Sequence, residues 1–144
     1  MKWDKRFLNL AEFIARQWSK DPSTQTGAVI VRGKRVVSLG FNGFPEKIKD
    51  CPIRLHDRPT KYALTIHCEI NAILLAGQPV TGCTLYTWPF MSCTRCAVQV
   101  IQSGITRVVA PSIPPHLVER WGEDLKTARL LFEEAGVSME ILDQ

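Results

Sequence analysis

The sequence predicts a three-layer α/β/α domain around a five-stranded mixed sheet. Two observations predict it. Short β-rich apolar runs alternate with segments of helical period. No internal repeat, low-complexity stretch or long linker divides the chain, and 144 residues with 45% hydrophobic content suit one domain over 1–144 whose core needs no disulfide.

The elements follow in order. Phe7, Leu8, Leu10, Ala11, Ile14, Ala15 and Trp18 recur at helical spacing, which predicts an amphipathic helix over residues 4–19. Asp21-Pro22-Ser23-Thr24 ends it in a polar turn. Ala28–Val31, the turn Arg32-Gly33-Lys34-Arg35 and Val36–Leu39 read as a β-hairpin. Residues 42–61 hold Asn42-Gly43, three prolines and many charges, and are expected to form a long ordered loop of the functional kind. From His67, the spacing of Ile70, Ile73 and Leu74 predicts a helix that stops at Gly77. Cys83–Thr87 is a strand, Cys93–Ser103 a helix closed by Gly104, and Ile105–Ala110 a strand. Pro114 and Pro115 open a helical region over 116–135, Gly136 caps it, and Val137–Leu142 closes the sheet.

Composition narrows the function. No apolar run reaches membrane-spanning length, and Met1–Arg6 lacks the apolar stretch of a signal peptide. Five cysteines, an odd number, suit a reducing compartment better than a disulfide framework, so the expected location is cytoplasmic. A net charge of +4 welcomes an anion. The positive residues are scattered rather than run together, which fits a nucleotide-sized ligand better than a nucleic-acid backbone.

The chemistry lies in His67-Cys68-Glu69 and Cys93-Thr94-Arg95-Cys96. One imidazole and two thiolates make three zinc ligands, one fewer than a closed structural site, so the fourth position is free for water. Glu69 is two residues from His67, close enough to serve as proton carrier for that water. Both clusters fall at expected helix starts, where unpaired N–H groups favour thiolates. An isolated Cys-x-x-Cys also fits a redox pair, and Cys51 or His56 as a fourth ligand would make the zinc structural. The combination of both halves favours catalytic zinc, in the arrangement found in zinc-dependent nucleobase deaminases.

The chain resembles the deoxycytidylate (dCMP) deaminases over nearly its whole length. Ser19–Val31, beginning Ser-Lys-Asp-Pro, and Gly40-Phe41-Asn42-Gly43-Phe44-Pro45 point to that branch. Lys61-Tyr62, His67–Ile73, Ile101–Ile105 and Thr127–Val137 continue the match. The resemblance implies a cytidine deaminase-like fold and hydrolytic deamination of a pyrimidine nucleotide, dCMP to dUMP and ammonia. It implies Zn2+ on His67, Cys93 and Cys96, with Glu69 as the catalytic acid/base. Asn42 would bond the deoxyribose, and Ser19 and Lys20 would lie near the phosphate. Asn42 also reads as a plain turn residue, and Lys20 as a helix-end charge. Trp88 and Phe90, ahead of Tyr62 and Trp121, are the aromatic candidates to stack on the base, unless they simply pack the loop. A homo-oligomer, dimer or hexamer, is implied as well.

Departures from the family pattern are Ser92 in place of proline before Cys93, Cys68 in place of alanine, a longer Thr87–Ser92 stretch, and an unmatched Cys51–Arg58. The alternatives are a deaminase of another base (a cytidine-type nucleoside, a guanine-type purine or an RNA base) and a non-catalytic zinc module. The intact Glu69 argues against the latter.

Overall fold

The computed structural model describes residues 2–143. The amphipathic stripe near the N-terminus forms α1 (Lys2–Trp18), whose buried face is Phe7, Leu8, Ala11, Ile14 and Ala15. The hairpin follows as β1 (Gly27–Arg32) and β2 (Arg35–Phe41). Then come α2 (Pro52–His56), α3 (Arg58–Leu64), α4 (Cys68–Leu74), β3 (Thr84–Trp88), α5 (Thr94–Gln102) and β4 (Arg107–Ala110). A 3-10 turn at Pro115–Leu117 leads into α6 (Val118–Ala135) and the chain closes with β5 (Ser138–Ile141).

The five strands lie in the order β2-β1-β3-β4-β5. β1 is antiparallel to both β2 and β3, while β3–β4 and β4–β5 are parallel, so the sheet is mixed as expected. Helices cover both faces. On one, Phe7, Leu8, Ala11 and Ile14 of α1 pack against Val29, Val31, Tyr86 and Val109. On the other, Cys68 and Ala72 of α4, Ala97 and Val100 of α5 and Ala128 and Phe132 of α6 cover Ala28, Ile30, Leu85 and Val108. No helix among the described residues is long and apolar enough to cross a membrane.

Two glycines set the spacing between layers. A Cβ at Gly27 would lie 2.1 Å from the Ala11 carbonyl oxygen of α1, and one at Gly40 would lie 2.2 Å from the Cys68 oxygen of α4. Only glycine lets these helices sit so close to the sheet. The close approach at Gly40 also fixes where His67 and Glu69 stand, because both lie at the start of α4.

The expected loop over 42–61 is the main correction. Two short helices occupy part of it, because the prolines that read as breakers sit where a helix tolerates them. Pro52 opens α2, and Pro59 falls in the first turn of α3, where the missing N–H costs nothing. Asp57 caps α3 by accepting from the Thr60 N–H. Gly136 ends α6 with φ of 74°, as its place in the sequence predicts.

Candidate active site

His67 and Cys93 are the N-cap residues of α4 and α5, each with extended backbone, so their side chains leave the helices at the same end of the sheet. Cys96 lies one turn into α5 and Glu69 in the first turn of α4. The fold therefore brings both halves of the motif together. The ligand atoms of His67, Cys93 and Cys96 all lie within 4.8 Å of one another. His67 Nδ1 is 3.1 Å from Cys96 Sγ and 3.5 Å from Cys93 Sγ.

A tetrahedral zinc site with the usual bond lengths places its N and S donors roughly 3.5–3.8 Å apart. The 3.5 Å separation matches that spacing, the 3.1 Å one is somewhat shorter, and the imidazole–dithiol donor set suits that ion. The hydrogen bond from the Cys96 thiol holds the Cys93 thiol down at about 5, with His67 adding to the effect. The same bond and burial push the Cys96 thiol up. His67 is raised chiefly by its hydrogen bond with Cys93.

His67 and Cys93 line a cavity of about 290 Å³. Glu69, 5% exposed, lines it beside His67, and its Oε1 is 3.5 Å from Cys68 Sγ. Cys68 is buried in the core against the sheet, and burial drives its thiol well above the ordinary range. Trp88 and Phe90 both line the cavity, as do Tyr62 and Trp121. The outer side of the Trp88 ring is covered by the Arg16 guanidinium, 4.8 Å from its centroid, and Phe90 leans on Trp121 at 5.8 Å.

The three remaining expected residues are placed less simply. Asn42 borders the cavity, but its amide is engaged within the protein. Oδ1 accepts from the Ser19 hydroxyl at 2.7 Å and the Thr26 N–H at 2.9 Å, while Nδ2 donates to the Thr24 carbonyl at 2.9 Å. It thus ties the end of β2 to the loop before β1. Ser19 is buried beneath it and does not line the cavity. Lys20 points elsewhere: it pairs with Asp50 at 3.0 Å and lines a second cavity with Trp18, Phe41 and Phe44. Neither Ser19 nor Lys20, expected near a bound phosphate, borders the cavity that holds Glu69.

Sequence reasoning missed several residues that build the site. Lys61, 5% exposed, pairs with Asp21 at 3.1 Å and reaches the Ser23 hydroxyl, forming one wall. Asp21 also accepts from the Ser23 and Thr24 N–H groups, so the polar turn is fixed from both sides. Asp124 of α6 accepts from the Thr94 N–H at 2.8 Å and caps the helix that bears both cysteines. Arg120, also on α6, donates to the Tyr62 hydroxyl at 2.6 Å across the same cavity. No local pattern marks Asp124 or Arg120, which gain their meaning only through Thr94 of α5 and Tyr62 of α3.

Residues 1–112 match the model of the cytidine and deoxycytidylate deaminase zinc-binding region. The chain is 43% identical over 138 residues to a protein of Aliivibrio fischeri described as an uncharacterized deaminase in the luxG 3' region, covering 96% of this chain and 92% of that one. It is 38% identical over 145 residues to the deoxycytidylate deaminase of Mus musculus, covering 96% and 78%. In fold it resembles the dCMP deaminase of cyanophage S-TIM5, solved in complex with dCMP and dUMP, with a TM-score of 0.79 and 18% identity over 98% and 97% of the two chains.

Proposed function

The chain belongs to the cytidine and deoxycytidylate deaminase family, whose members are zinc-dependent hydrolases, and we propose that its own reaction is the conversion of dCMP to dUMP and ammonia. The observation that carries this reading is Glu69 lining one cavity with His67 and Cys93, whose donor atoms lie within 4.8 Å of that of Cys96. The choice of dCMP rests on the deoxycytidylate deaminases among the relatives.

In this reading His67, Cys93 and Cys96 would hold the zinc ion. Zinc supplies a water acidic enough to attack at neutral pH. The Glu69 carboxylate would accept a proton from the water whose oxygen attacks C4 of the cytosine ring, and would deliver that proton to ring N3. It then carries the second proton to the exocyclic amine, which leaves as ammonia while the C4 carbonyl forms. Burial keeps Glu69 free of competing solvent, and its place on α4 fixes its distance from the ligands. The aromatic residues lining the cavity give a planar base apolar faces to lie against.

Assembly and location follow as part of the proposal. Leu74, Leu75, Val98 and Leu130 leave large apolar side chains exposed on the helices of one layer, which supports a homo-oligomer. Five free cysteines support a reducing, cytoplasmic setting.

The test is ammonia release from dCMP, CMP, deoxycytidine, cytidine, guanine and AMP, with zinc assayed on the same preparation. Turnover of dCMP ahead of the others is expected. Zinc-loaded protein that leaves dCMP untouched would refute the substrate.

A further inference from the structure

The cavity is lined by three cations, Lys61, Arg95 and Arg120. Lys61 is buried and neutralised by Asp21. Lys20, the nearby cation that the sequence favoured, is spent on Asp50 and faces the second cavity. Among the described residues, Arg95 and Arg120 have no carboxylate partner. Arg95 lies between Cys93 and Cys96 in the ligand segment and lines the cavity, so it belongs to the floor of the site.

Arg120 is differently held. Its Nη2 donates to the Tyr62 hydroxyl at 2.6 Å, and its Cζ lies 5.5 Å from the Tyr62 ring centroid and 5.0 Å from that of Trp121. Phe90 supports Trp121 in turn. A guanidinium fixed by two rings and one hydroxyl has lost its rotamer freedom in advance and keeps most of its N–H donors unused. That is the geometry that binds a phosphate bidentately. It is exposed to solvent, at the rim of a cavity whose floor holds the reaction centre, where the tail of a nucleotide must emerge.

We propose that Arg120, oriented by Tyr62, recognises the 5′-phosphate of the nucleotide and so sets the preference for nucleotides over nucleosides. This rests on the cytosine-nucleotide reading above. Arg120 makes the contact; Tyr62 is a positioning residue that holds the guanidinium in place.

The experiment compares the zinc-loaded wild type with Arg120→Ala, Arg120→Lys and Tyr62→Phe, using dCMP and deoxycytidine side by side and titrating dUMP and deoxyuridine by calorimetry. The wild type is expected to favour dCMP and to bind dUMP more tightly than deoxyuridine. Arg120→Ala is expected to raise KM for dCMP about 10- to 100-fold with little change in kcat, and to collapse the dCMP to deoxycytidine ratio. Arg120→Lys restores part of that ratio, and Tyr62→Phe raises KM by a smaller factor. Because Arg120 is on the surface, the melting temperature serves as the control for folding. An unchanged ratio in a folded Arg120→Ala protein that still turns over dCMP would overturn the phosphate assignment alone. Failure of the wild type on every cytosine substrate would overturn the reading beneath it as well.

Discussion

At the scale of single residues, bordering the cavity and being free to meet a ligand are different things. Asn42 illustrates the difficulty: the sequence offers it as a sugar contact, yet its amide bonds Ser19, Thr24 and Thr26. Asp4 is the clearest structural charge. It is buried, receives both arms of the Arg107 guanidinium at 2.9 and 2.8 Å, and accepts from the Tyr86 hydroxyl at 2.6 Å. The Arg107 hydrogen bonds, followed by that of Tyr86, keep the Asp4 carboxyl below its ordinary value against the opposing effect of burial. A carboxylate lowered in the folded state contributes stability that is present above its unfolded pKa, about 3.9, and is lost as pH falls through the folded value. Acid titration of the wild type should therefore show a loss of stability beginning near pH 5 and continuing below 4. Asp4→Asn should be flatter in that window and less stable at pH 7 by about 2–3 kcal/mol, the remaining Glu140 still facing Arg107. Denaturant melts at several pH values check both; identical slopes for the two proteins would exclude Asp4 as the titrating group.

At the scale of elements, the helix starts decide the site. The ligands were legible because metal binding imposes local spacing: Cys-x-x-Cys reaches one ion from a single helical turn, and His67 begins the neighbouring helix. What the spacing does not reveal is how α4 and α5 are held in place. Asp124 caps α5 from thirty residues away in sequence, and Gly40 lets α4 close onto β2. Gly40→Ala would place a Cβ 2.2 Å from the Cys68 oxygen and 2.6 Å from the Ala72 nitrogen, so α4 must move outward. The expected cost is about 1–3 kcal/mol from overpacking, with a drop in kcat because Glu69 travels with the helix. Thermal melts and steady-state kinetics on the same variant test this; a variant of normal stability and normal kcat would mean that the contact is not rigid. The helices in the 42–61 stretch went unread because Pro52 and Pro59 look like breakers until their positions in the first turn are known.

At the scale of the whole molecule, the sheet was legible and the cavity was not. Alternating apolar runs and helical stripes are local signals, and they gave the five strands, the long first helix and the Gly136 stop because each depends on its own residues. The cavity wall is assembled from the loop before β1, from α3 and from the first half of α6, and the pairings Lys61–Asp21 and Arg120–Tyr62 span 40 and 58 positions. No window of sequence contains both partners. The central claim joins all three scales: a zinc-holding cluster and one carboxylate, set at two helix starts, deaminate a pyrimidine nucleotide. The measurement that tests it most directly is zinc content and ammonia release from dCMP for the wild type and Glu69→Ala prepared in parallel. The account predicts equal zinc in both proteins and a fall in turnover of at least about 10²- to 10⁴-fold in the variant. Undiminished deamination by a zinc-loaded Glu69→Ala protein would contradict it.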